Sequence, residues 1–172
     1  MSEAVIKAAA DRIEAPFTRS GGENSYSLHA ELQEITHNLV GIIRTGSELK
    51  EAIEKIAEIR KRSANVSVAG GRKFNPGFHL AFDLDNMLLV AESTAKSAIS
   101  REESRGGHTR DDFPQLDSKW RQVNHIASFD GKEVTVRKQP LPALPKELFD
   151  LFDVHELEKY MTPEEIAKGG AR

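Results

Sequence analysis

The sequence predicts a mainly α-helical protein, in which a three-helix up-and-down bundle precedes a small β-hairpin and an irregular C-terminal tail. Three segments between residues 25 and 104 repeat apolar residues with the period of an amphipathic helix. Two strand-like runs, residues 123–129 and 132–136, flank Asp130-Gly131, a dipeptide typical of two-residue hairpin turns. Prolines then follow at three positions (140, 142 and 145). Because proline has no backbone N–H to donate, the chain beyond the hairpin should be largely extended.

These observations divide the chain into three parts. Residues 1–24 form an N-terminal helix and linker, residues 25–120 form the three-helix bundle with its exit loop, and residues 121–172 form the hairpin and the tail. The pattern at residues 162–165 is that of a capping box and predicts a short helix there. The tail has too few apolar residues for a core of its own, so we expect it to be loosely held.

The first helix is predicted over residues 2–15, where Pro16 should end it, and a polar, glycine-rich linker follows. The first bundle helix is identified by an apolar stripe that steps by four, three, four and three residues. The members of this stripe are Leu28, Leu32, Ile35, Leu39 and Ile42. The second bundle helix should begin with Ser47 as its N-cap and end near residues 60–62, where cations suit the helix dipole.

The third bundle helix is predicted to be the longest element. Asn75 can cap it, Pro76 is tolerated at its first position, and its apolar stripe continues to Ile99. Extended to about Glu103, this helix would contain roughly 27 residues and be ~40 Å long. Three amphipathic helices, of which the first two are joined by a short turn, fit an up-and-down bundle.

Composition and charge exclude several classes of protein. The 172-residue chain has a net charge of −3, whereas a nucleic-acid-binding protein needs a clustered basic surface. The chain contains no cysteine, which excludes disulfides and cysteine-ligated metal or iron–sulfur centres within it and fits a reducing cytosol. No apolar run approaches the ~18 residues of a membrane span, so we expect no direct membrane insertion.

The usual catalytic and cofactor-binding signatures are missing from the sequence. No Gly-x-Gly occurs, so there is neither a dinucleotide fingerprint nor a phosphate-binding P-loop. His29 and His37 could share a helix face but lack the His-Glu-x-x-His pattern of a zinc site. Ser104, His108 and Asp111 are the residue types of a catalytic triad, yet no Gly-x-Ser-x-Gly surrounds the serine. We therefore assign no catalytic, cofactor-binding or metal-ligating residue.

One segment, residues 101–114, combines arginines, carboxylates and a histidine around a glycine pair at the end of the long helix. A glycine C-cap would explain the glycines but not so many alternating charges. Guanidinium groups beside carboxylates commonly fix a loop against another polar surface. The segment is therefore predicted to dock another domain, and its side chains should lie near water in the isolated chain, which offers them no obvious partners. The candidate residues are Arg101, Glu103, Ser104, Arg105, His108, Arg110 and Asp111.

Residues 103–114 resemble the E-S-R-G-x-H-x-R-x-D-x-P signature of the succinate dehydrogenase and fumarate reductase flavoprotein family. Residues 85–92 resemble the helix by which that family enters the motif. Residues 32–34 and 40–44 resemble its first bundle helix and the turn that follows. Trp120 stands where the family has a tryptophan after the motif.

The resemblance covers about residues 25–125, and the later segment 153–160 is most similar to actinobacterial members. L-aspartate oxidase shares the helical domain and a near variant of the motif, but the substantial tail and the Trp120 segment favour succinate dehydrogenase. A free-standing helical interaction module is the third alternative. An in-frame Gly-x-Gly-x-x-Gly upstream would support the two enzymes, and a neighbouring iron–sulfur subunit would select the first.

The resemblance implies that this chain is a piece of a longer FAD-dependent oxidoreductase of the respiratory chain and the citric acid cycle. In that family, flavin-binding and capping domains hold FAD and carry the catalytic residues, so no catalytic residue is assigned to this chain. The expected partners are those two domains of the parent protein and an iron–sulfur subunit. The expected location is cytoplasmic, with the parent complex at the cytoplasmic face of the inner membrane. The chain alone is expected to hold no cofactor and to be inactive.

Overall fold

The computed structural model describes residues 2–169 and confirms a mainly α-helical fold with a small hairpin; Met1 and residues 170–172 of the predicted tail lie outside this range. The three bundle helices pack against one another, and the hairpin packs against the third of them. The elements, in chain order, are α1 (Glu3–Thr18), α2 (Ser25–Leu39), β1 (Ile43–Arg44), α3 (Gly46–Ser63), α4 (Pro76–Ser100), β2 (Thr109–Arg110), α5 (Ser118–Arg121), β3 (Val123–Phe129), β4 (Val134–Pro140), α6 (Lys146–Phe149), α7 (Val154–Leu157) and α8 (Pro163–Ala167).

The core of the bundle is built from the predicted apolar stripes. Removing apolar surface from water contributes roughly 25 cal/mol per Å², so these stripes supply the main stabilisation. The buried residues are Leu28, Leu32, Ile35, Val40, Leu49, Ala52, Ile56, Ile59, Val66, Leu84, Leu88, Ala91, Ala95 and Ala98. One predicted member is wrong. Ile42 is 69% exposed, because α2 ends at Leu39 and Val40 takes the buried position.

Two boundaries of the bundle helices also differ from the prediction. The N-cap of α3 is Thr45 rather than Ser47. The Thr45 side chain accepts the Glu48 N–H at 3.3 Å and Glu48 accepts the Thr45 N–H at 2.6 Å, which is a reciprocal capping box. Helix α4 begins as predicted but ends at Ser100 instead of Glu103, because a buried arginine of the following loop binds its last free carbonyls.

The first helix does not end at Pro16 but continues to Thr18. Pro16 lies in the last turn, where its missing N–H removes one hydrogen bond of the helix. Its carbonyl accepts the Val68 N–H at 2.8 Å, and the neighbouring Phe17 ring stacks on Phe78 with ring centroids 5.0 Å apart. These contacts hold the end of α1 against the bundle and offset the lost bond.

The hairpin lies where it is predicted but has a longer turn. Phe129 is opposite Val134 in the antiparallel pair, so four residues connect the strands instead of two. The Asp130 carboxylate accepts the N–H groups of Lys132 and Glu133 at 2.8 and 2.9 Å, which closes this turn. Val134 is buried, and its carbonyl accepts a hydrogen bond from the α4 lysine at 2.7 Å. The hairpin is thereby anchored to the bundle.

The tail contains the short helices α6, α7 and α8. Phe149 of α6 is buried, and Glu165 of α8 pairs with Arg121 at 2.6 Å. The capping box predicted at the start of α8 is confirmed, with Thr162 as its N-cap. Leu151, by contrast, is 78% exposed. Within residues 2–169, none of the helices combines the length and the apolar character that crossing a bilayer requires.

Candidate functional site

The loop after α4 begins with a tight turn. Arg105 and His108 exchange two backbone hydrogen bonds, of 2.8 Å from the Arg105 N–H and 3.0 Å from the His108 N–H. Gly106 has a φ of +59°, a left-handed value that glycine adopts without the steric cost of a Cβ atom. Strand β2 follows and pairs in parallel with β1, which fixes the loop to the connection between α2 and α3.

Glu103 is the buried anion of this site and has no exposed surface. Its carboxylate accepts hydrogen bonds from Arg101 Nε at 2.9 Å, from Arg105 Nε and Nη2 at 3.0 Å, and from the Asp117 N–H at 3.0 Å. Burial by itself raises the pKa of Glu103, but these donors outweigh burial and the pKa is lowered overall. The ionised carboxylate therefore holds two guanidinium groups side by side.

Arg110 is the buried cation, 2% exposed, and it connects the end of α4 to the start of α3. Its Nη1 atom donates to the carbonyls of Ala98, Ile99 and Arg101 at 3.1 to 3.2 Å. Carbonyls in the last turn of a helix have no partner within the helix, so Arg110 acts as their cap. Its Nε and Nη2 atoms donate to the two oxygens of Asp112, both at 2.8 Å.

Asp112 completes the connection between the two helices. Its Oδ2 atom accepts the Gly46 N–H, in the first turn of α3, at 2.9 Å. A Cβ atom on residue 46 would lie 3.0 Å from both Arg110 Nη2 and Asp112 Oδ2, so glycine permits this close approach. The hydrogen bonds from Arg110 and then from Gly46 outweigh burial and lower the pKa of Asp112 to about 2.

These contacts correct one expectation from the sequence. The charged side chains of Arg101, Glu103, Arg105 and Arg110 do find partners within the chain, and Glu103 and Arg110 are buried rather than near water. Alternating charges along a sequence do not reveal which side chains point inward. Asp111 is exposed, and its N–H donates to the Arg44 carbonyl at 3.1 Å. That the loop docks another domain stays a prediction.

His108 is held as a neutral imidazole in one tautomer. Arg44 Nη2 lies 2.7 Å from His108 Nδ1, and because arginine can only donate, Nδ1 is the acceptor. The Arg101 carbonyl lies 3.1 Å from Nε2 and can only accept, so Nε2 carries the proton. Burial lowers the pKa of His108, and the charges of Arg44, Arg101 and Arg110 lower it as well; together they outweigh the hydrogen bond to the Arg101 carbonyl, which raises the pKa.

The residue types of a catalytic triad are present in the loop but do not assemble. Ser104 Oγ accepts the Arg110 N–H at 2.9 Å and donates to backbone carbonyls of the same loop, so it braces the turn. Both ring nitrogens of His108 are used by Arg44 and Arg101. In the described part of the chain, no group of three or more His, Cys, Asp or Glu side chains is placed to hold a metal ion.

A cleft of about 790 Å³ opens beside the loop, and we call it the arginine cleft. One wall is a face of α4 that includes Leu89, Val90, Ser97 and Ala98. The basic and imidazole side chains that line the cleft are Arg44, Arg101, Arg105, His108 and His125. The α4 wall also includes the hydroxyl groups of Ser93 and Thr94, which donate to carbonyls of the same helix. The cleft thus joins a helix face with apolar and hydroxyl side chains to three guanidinium groups from different parts of the chain.

Two residues of the cleft, Arg44 and His125, are not predicted as site residues from the sequence. Arg44 comes from β1, and its Nη1 atom donates to the carbonyls of Val40 and Gly41, both at 2.8 Å. His125 comes from β3, and its ring stacks on the buried Trp120 ring with centroids 5.5 Å apart. The resemblance of residues 40–44 to the family turn was the available signal for Arg44. No sequence signal marked His125.

Large apolar side chains lie near the cleft and face outward. Val90, on the α4 wall, is 65% exposed, and so is Ile43, which precedes Arg44 in β1. Ile42 beside it in the chain is exposed as well. A single exposed apolar residue is ordinary on a protein surface, but several beside one braced loop are typical of a surface that another segment covers.

Comparisons with known proteins match this chain to part of larger proteins. The family model described as "Fumarate reductase flavoprotein C-term" matches residues 29–148. Among solved structures, a chain of the Mycobacterium smegmatis Sdh1 complex in the apo form is 45% identical, with a TM-score of 0.88. That similarity covers 98% of this chain and 29% of the other. It agrees with the expected likeness to actinobacterial members.

Two curated relatives are likewise longer proteins, of which this chain matches only a part. The fumarate reductase flavoprotein subunit of Helicobacter pylori is 32% identical over 150 residues, which are 87% of this chain and 20% of the relative. A Methanocaldococcus jannaschii protein described as an uncharacterized FAD-dependent oxidoreductase is 42% identical over 101 residues, which are 59% of this chain and 18% of the relative. The chain therefore spans about a fifth of the length of these curated relatives.

Proposed function

The chain belongs to the family of fumarate reductase and succinate dehydrogenase flavoprotein C-terminal domains, and from this premise we propose that it serves an FAD-dependent succinate/fumarate oxidoreductase. In this role the bundle is a rigid support on which the flavin-binding part of the parent protein docks. The parent protein interconverts succinate and fumarate in the respiratory chain and the citric acid cycle. The chain itself contributes structure rather than a reacting group.

The internal bracing of the loop at the end of α4 is the observation that carries this proposal. Glu103, Arg110 and Asp112 bind groups of the same chain, so the loop is ordered before any partner arrives. A preorganised surface loses little conformational entropy on association, which favours docking. The exposed side chains of Ile43 and Val90 then offer apolar area for a partner to cover.

FAD is assigned to the parent protein because the residues of this chain do not fit it. A dinucleotide site uses a glycine-rich turn between a strand and a helix, where free N–H groups bind the pyrophosphate. The comparable place here is the step from β1 into α3. There the Gly46 N–H donates to Asp112 and the Thr45 N–H donates to Glu48, so carboxylates of the chain already take these donors.

The proposed partners follow from the same assignment. Within the parent protein they are the flavin-binding and capping domains, which would meet the candidate docking loop. Beyond it, the partner is an iron–sulfur subunit that passes electrons on, with the complex at the cytoplasmic face of the inner membrane. The similarity to a fumarate reductase flavoprotein subunit and to a chain of the Sdh1 complex supports this assembly.

The test compares the 172-residue chain with a full-length flavoprotein that contains it. We expect the purified short chain to be colourless and to leave succinate unoxidised. The long protein should hold flavin and reduce a dye with succinate but not with L-aspartate. A stoichiometric flavin spectrum from the short chain would overturn the proposed division of roles. Oxidation of L-aspartate by the long protein would instead identify the parent as L-aspartate oxidase.

A further inference from the structure

We propose that the arginine cleft is a binding site for a carboxylate. Arg44, Arg101 and Arg105 line it together, and the described lining contains neither aspartate nor glutamate. Guanidinium forks match the two oxygens of a carboxylate, and the apolar side chains of the α4 wall, Leu89, Val90 and Ala98, suit the carbon atoms attached to it. The ligand is therefore a small organic acid or the side chain of an aspartate or glutamate.

The balance of charge in the cleft leaves positive charge uncompensated. Arg101 and Arg105 share a single carboxylate, that of Glu103, which is fully buried beneath them. The described hydrogen bonds of Arg44 run to two carbonyls and to the neutral His108, and none of these acceptors carries a charge. The Asp117 carboxylate also interacts with the charge of Arg105 but is paired with Lys119 at 2.9 Å. Three guanidinium groups thus share one carboxylate in direct contact, and the excess positive charge is available to a ligand.

N–H groups of the cleft arginines that have no acceptor also support a carboxylate site. Arg44 Nε is buried and has no hydrogen-bond partner in the described structure, although leaving a buried donor unpaired is unfavourable. The described hydrogen bonds of Arg101 and Arg105 run through Nε and Nη2, so Nη1 of each is available. A carboxylate in the cleft would supply acceptors for the Nη1 groups of Arg101 and Arg105.

The histidines of the cleft report the same positive field. Burial lowers the pKa of His125, and the charges of Arg101 and Lys138 lower it further. The pKa of His108 is lowered by burial and by three neighbouring arginines. Burial disfavours charge of either sign, but the part of each lowering that comes from the neighbouring positive charges marks a field that favours an anion beside both rings.

Two sources can supply this carboxylate. One is a free small acid. The other is an acidic side chain from the flavin-binding part of the parent protein, and this second source rests on the proposed function. Both sources make the same contacts with the three arginines, so experiments on the short and the long protein are needed to distinguish them.

The first experiment titrates the 172-residue chain with acetate and with succinate, against chloride at equal ionic strength, and follows the NMR signals of the arginine side chains. We expect saturable shifts centred on Arg44, Arg101 and Arg105 with the two acids and not with chloride. Arg44→Gln should weaken the apparent affinity at least about tenfold, since it removes one of three cations. The absence of a saturable response in the wild-type chain would overturn the proposal.

A second variant keeps the test valid if Arg44→Gln fails to fold. Ser97 lines the cleft on α4, so Ser97→Glu would place a tethered carboxylate there. Ser97→Gln is the matched control, because it has nearly the same shape without the charge. Ser97→Glu should abolish the acetate response and raise the melting temperature above that of Ser97→Gln. Equal responses in the two variants would show that the shifts do not arise from this cleft.

The same titration of the full-length flavoprotein then identifies the source of the carboxylate. If an acidic side chain of the parent fills the cleft, acetate will shift the arginine signals in the short chain but not in the long protein. If the ligand is a free acid, both will respond and Ser97→Glu will abolish both responses. Because the titration of the short chain involves no flavin and no turnover, its outcome is independent of whether the proposed function holds.

Discussion

Arg110 uses all three nitrogens of its guanidinium group on other parts of the chain. It binds the carbonyls at the end of α4 and the Asp112 carboxylate, which in turn binds the start of α3. The sequence motif identifies Arg110 as important but does not show that its side chain points inward. Backbone carbonyls leave no signature in a sequence, so this role becomes evident only from the packing.

Arg110→Ala should destabilise the isolated chain by about 3 kcal/mol, because the α4 carbonyls and Asp112 lose their donor. Arg110→Lys should recover less than half of the loss, since lysine cannot form the bidentate fork. The matched control is the exposed neighbour: Asp111→Ala should change the free energy of unfolding by less than about 0.5 kcal/mol. Urea denaturation measures all three variants. Equal stability of the two alanine variants would refute the capping role.

His108 and His125 lead us to expect a loss of stability in mild acid. The pKa of each is lowered from the usual value near 6.5, chiefly by burial and also by neighbouring positive charges; at His108 these outweigh the hydrogen bond to the Arg101 carbonyl, which raises the pKa. The unfolded chain therefore takes up protons at a higher pH than the folded chain. The free energy of unfolding should be constant above about pH 6.5 and should fall as the pH drops below it. The lowered pKa values of Glu103 and Asp112 act below about pH 4.5.

Denaturant titrations between about pH 7.5 and pH 5 isolate this effect, because the carboxylates stay ionised in that window. His108→Gln should flatten the dependence of stability on pH, and the remainder should come from His125. His155→Gln is the control, since His155 lies on the surface of α7 with its side chain 81% exposed. An unchanged slope in the His108→Gln variant would show that this imidazole is not the titrating group.

At the scale of elements, the sequence predicts buried faces better than helix ends. A stripe requires only the right period, and the stripes of α2, α3 and α4 do form the core. Ends depend on single hydrogen bonds, so Thr45 rather than Ser47 caps α3. At the site, too, the sequence predicts only the residues that belong to a local motif. Its motif residues are contiguous and recognisable, whereas Arg44 and His125 come from other elements and join the cleft only through packing.

Hydrogen exchange should separate the bundle from the tail. Helices α2, α3 and α4 share one buried cluster, whereas α7 and α8 contain no buried side chain. We expect backbone amides in the middle of α3 and α4 to be protected about a thousand-fold or more. Amides of residues 154–167 should exchange within about tenfold of the unfolded rate. Uniform protection of both regions would mean that the tail belongs to the cooperative core.

At the scale of the whole molecule, charged side chains of the loop are buried, whereas apolar side chains beside it are exposed. Glu103 pairs with Arg105, and Arg110 pairs with Asp112; these two ion pairs make the loop rigid. Ile43 and Val90 face outward near the loop. Such a surface is fixed in shape before it is covered, which suits docking against a larger partner. The chain spans about a fifth of the length of its curated relatives, so the proposed partner lies in the rest of such a protein.

The most direct measurement of the docking role is the effect of Ile43→Glu in two contexts. Ile43 is 65% exposed, so in the 172-residue chain this substitution should change the free energy of unfolding by less than about 0.5 kcal/mol. In a full-length flavoprotein, the glutamate would lie in the covered surface and weaken the coupling between domains by about 2–5 kcal/mol.

The coupling between this domain and the rest of the flavoprotein is measured by the flavin content and the succinate oxidation of the full-length protein. Val5→Glu, on the exposed face of α1, is the matched control and should leave both quantities unchanged. We predict that Ile43→Glu leaves the short chain as stable as the wild type and causes the long protein to lose flavin or activity. Full flavin content and full activity in the Ile43→Glu flavoprotein would contradict the docking role of this domain.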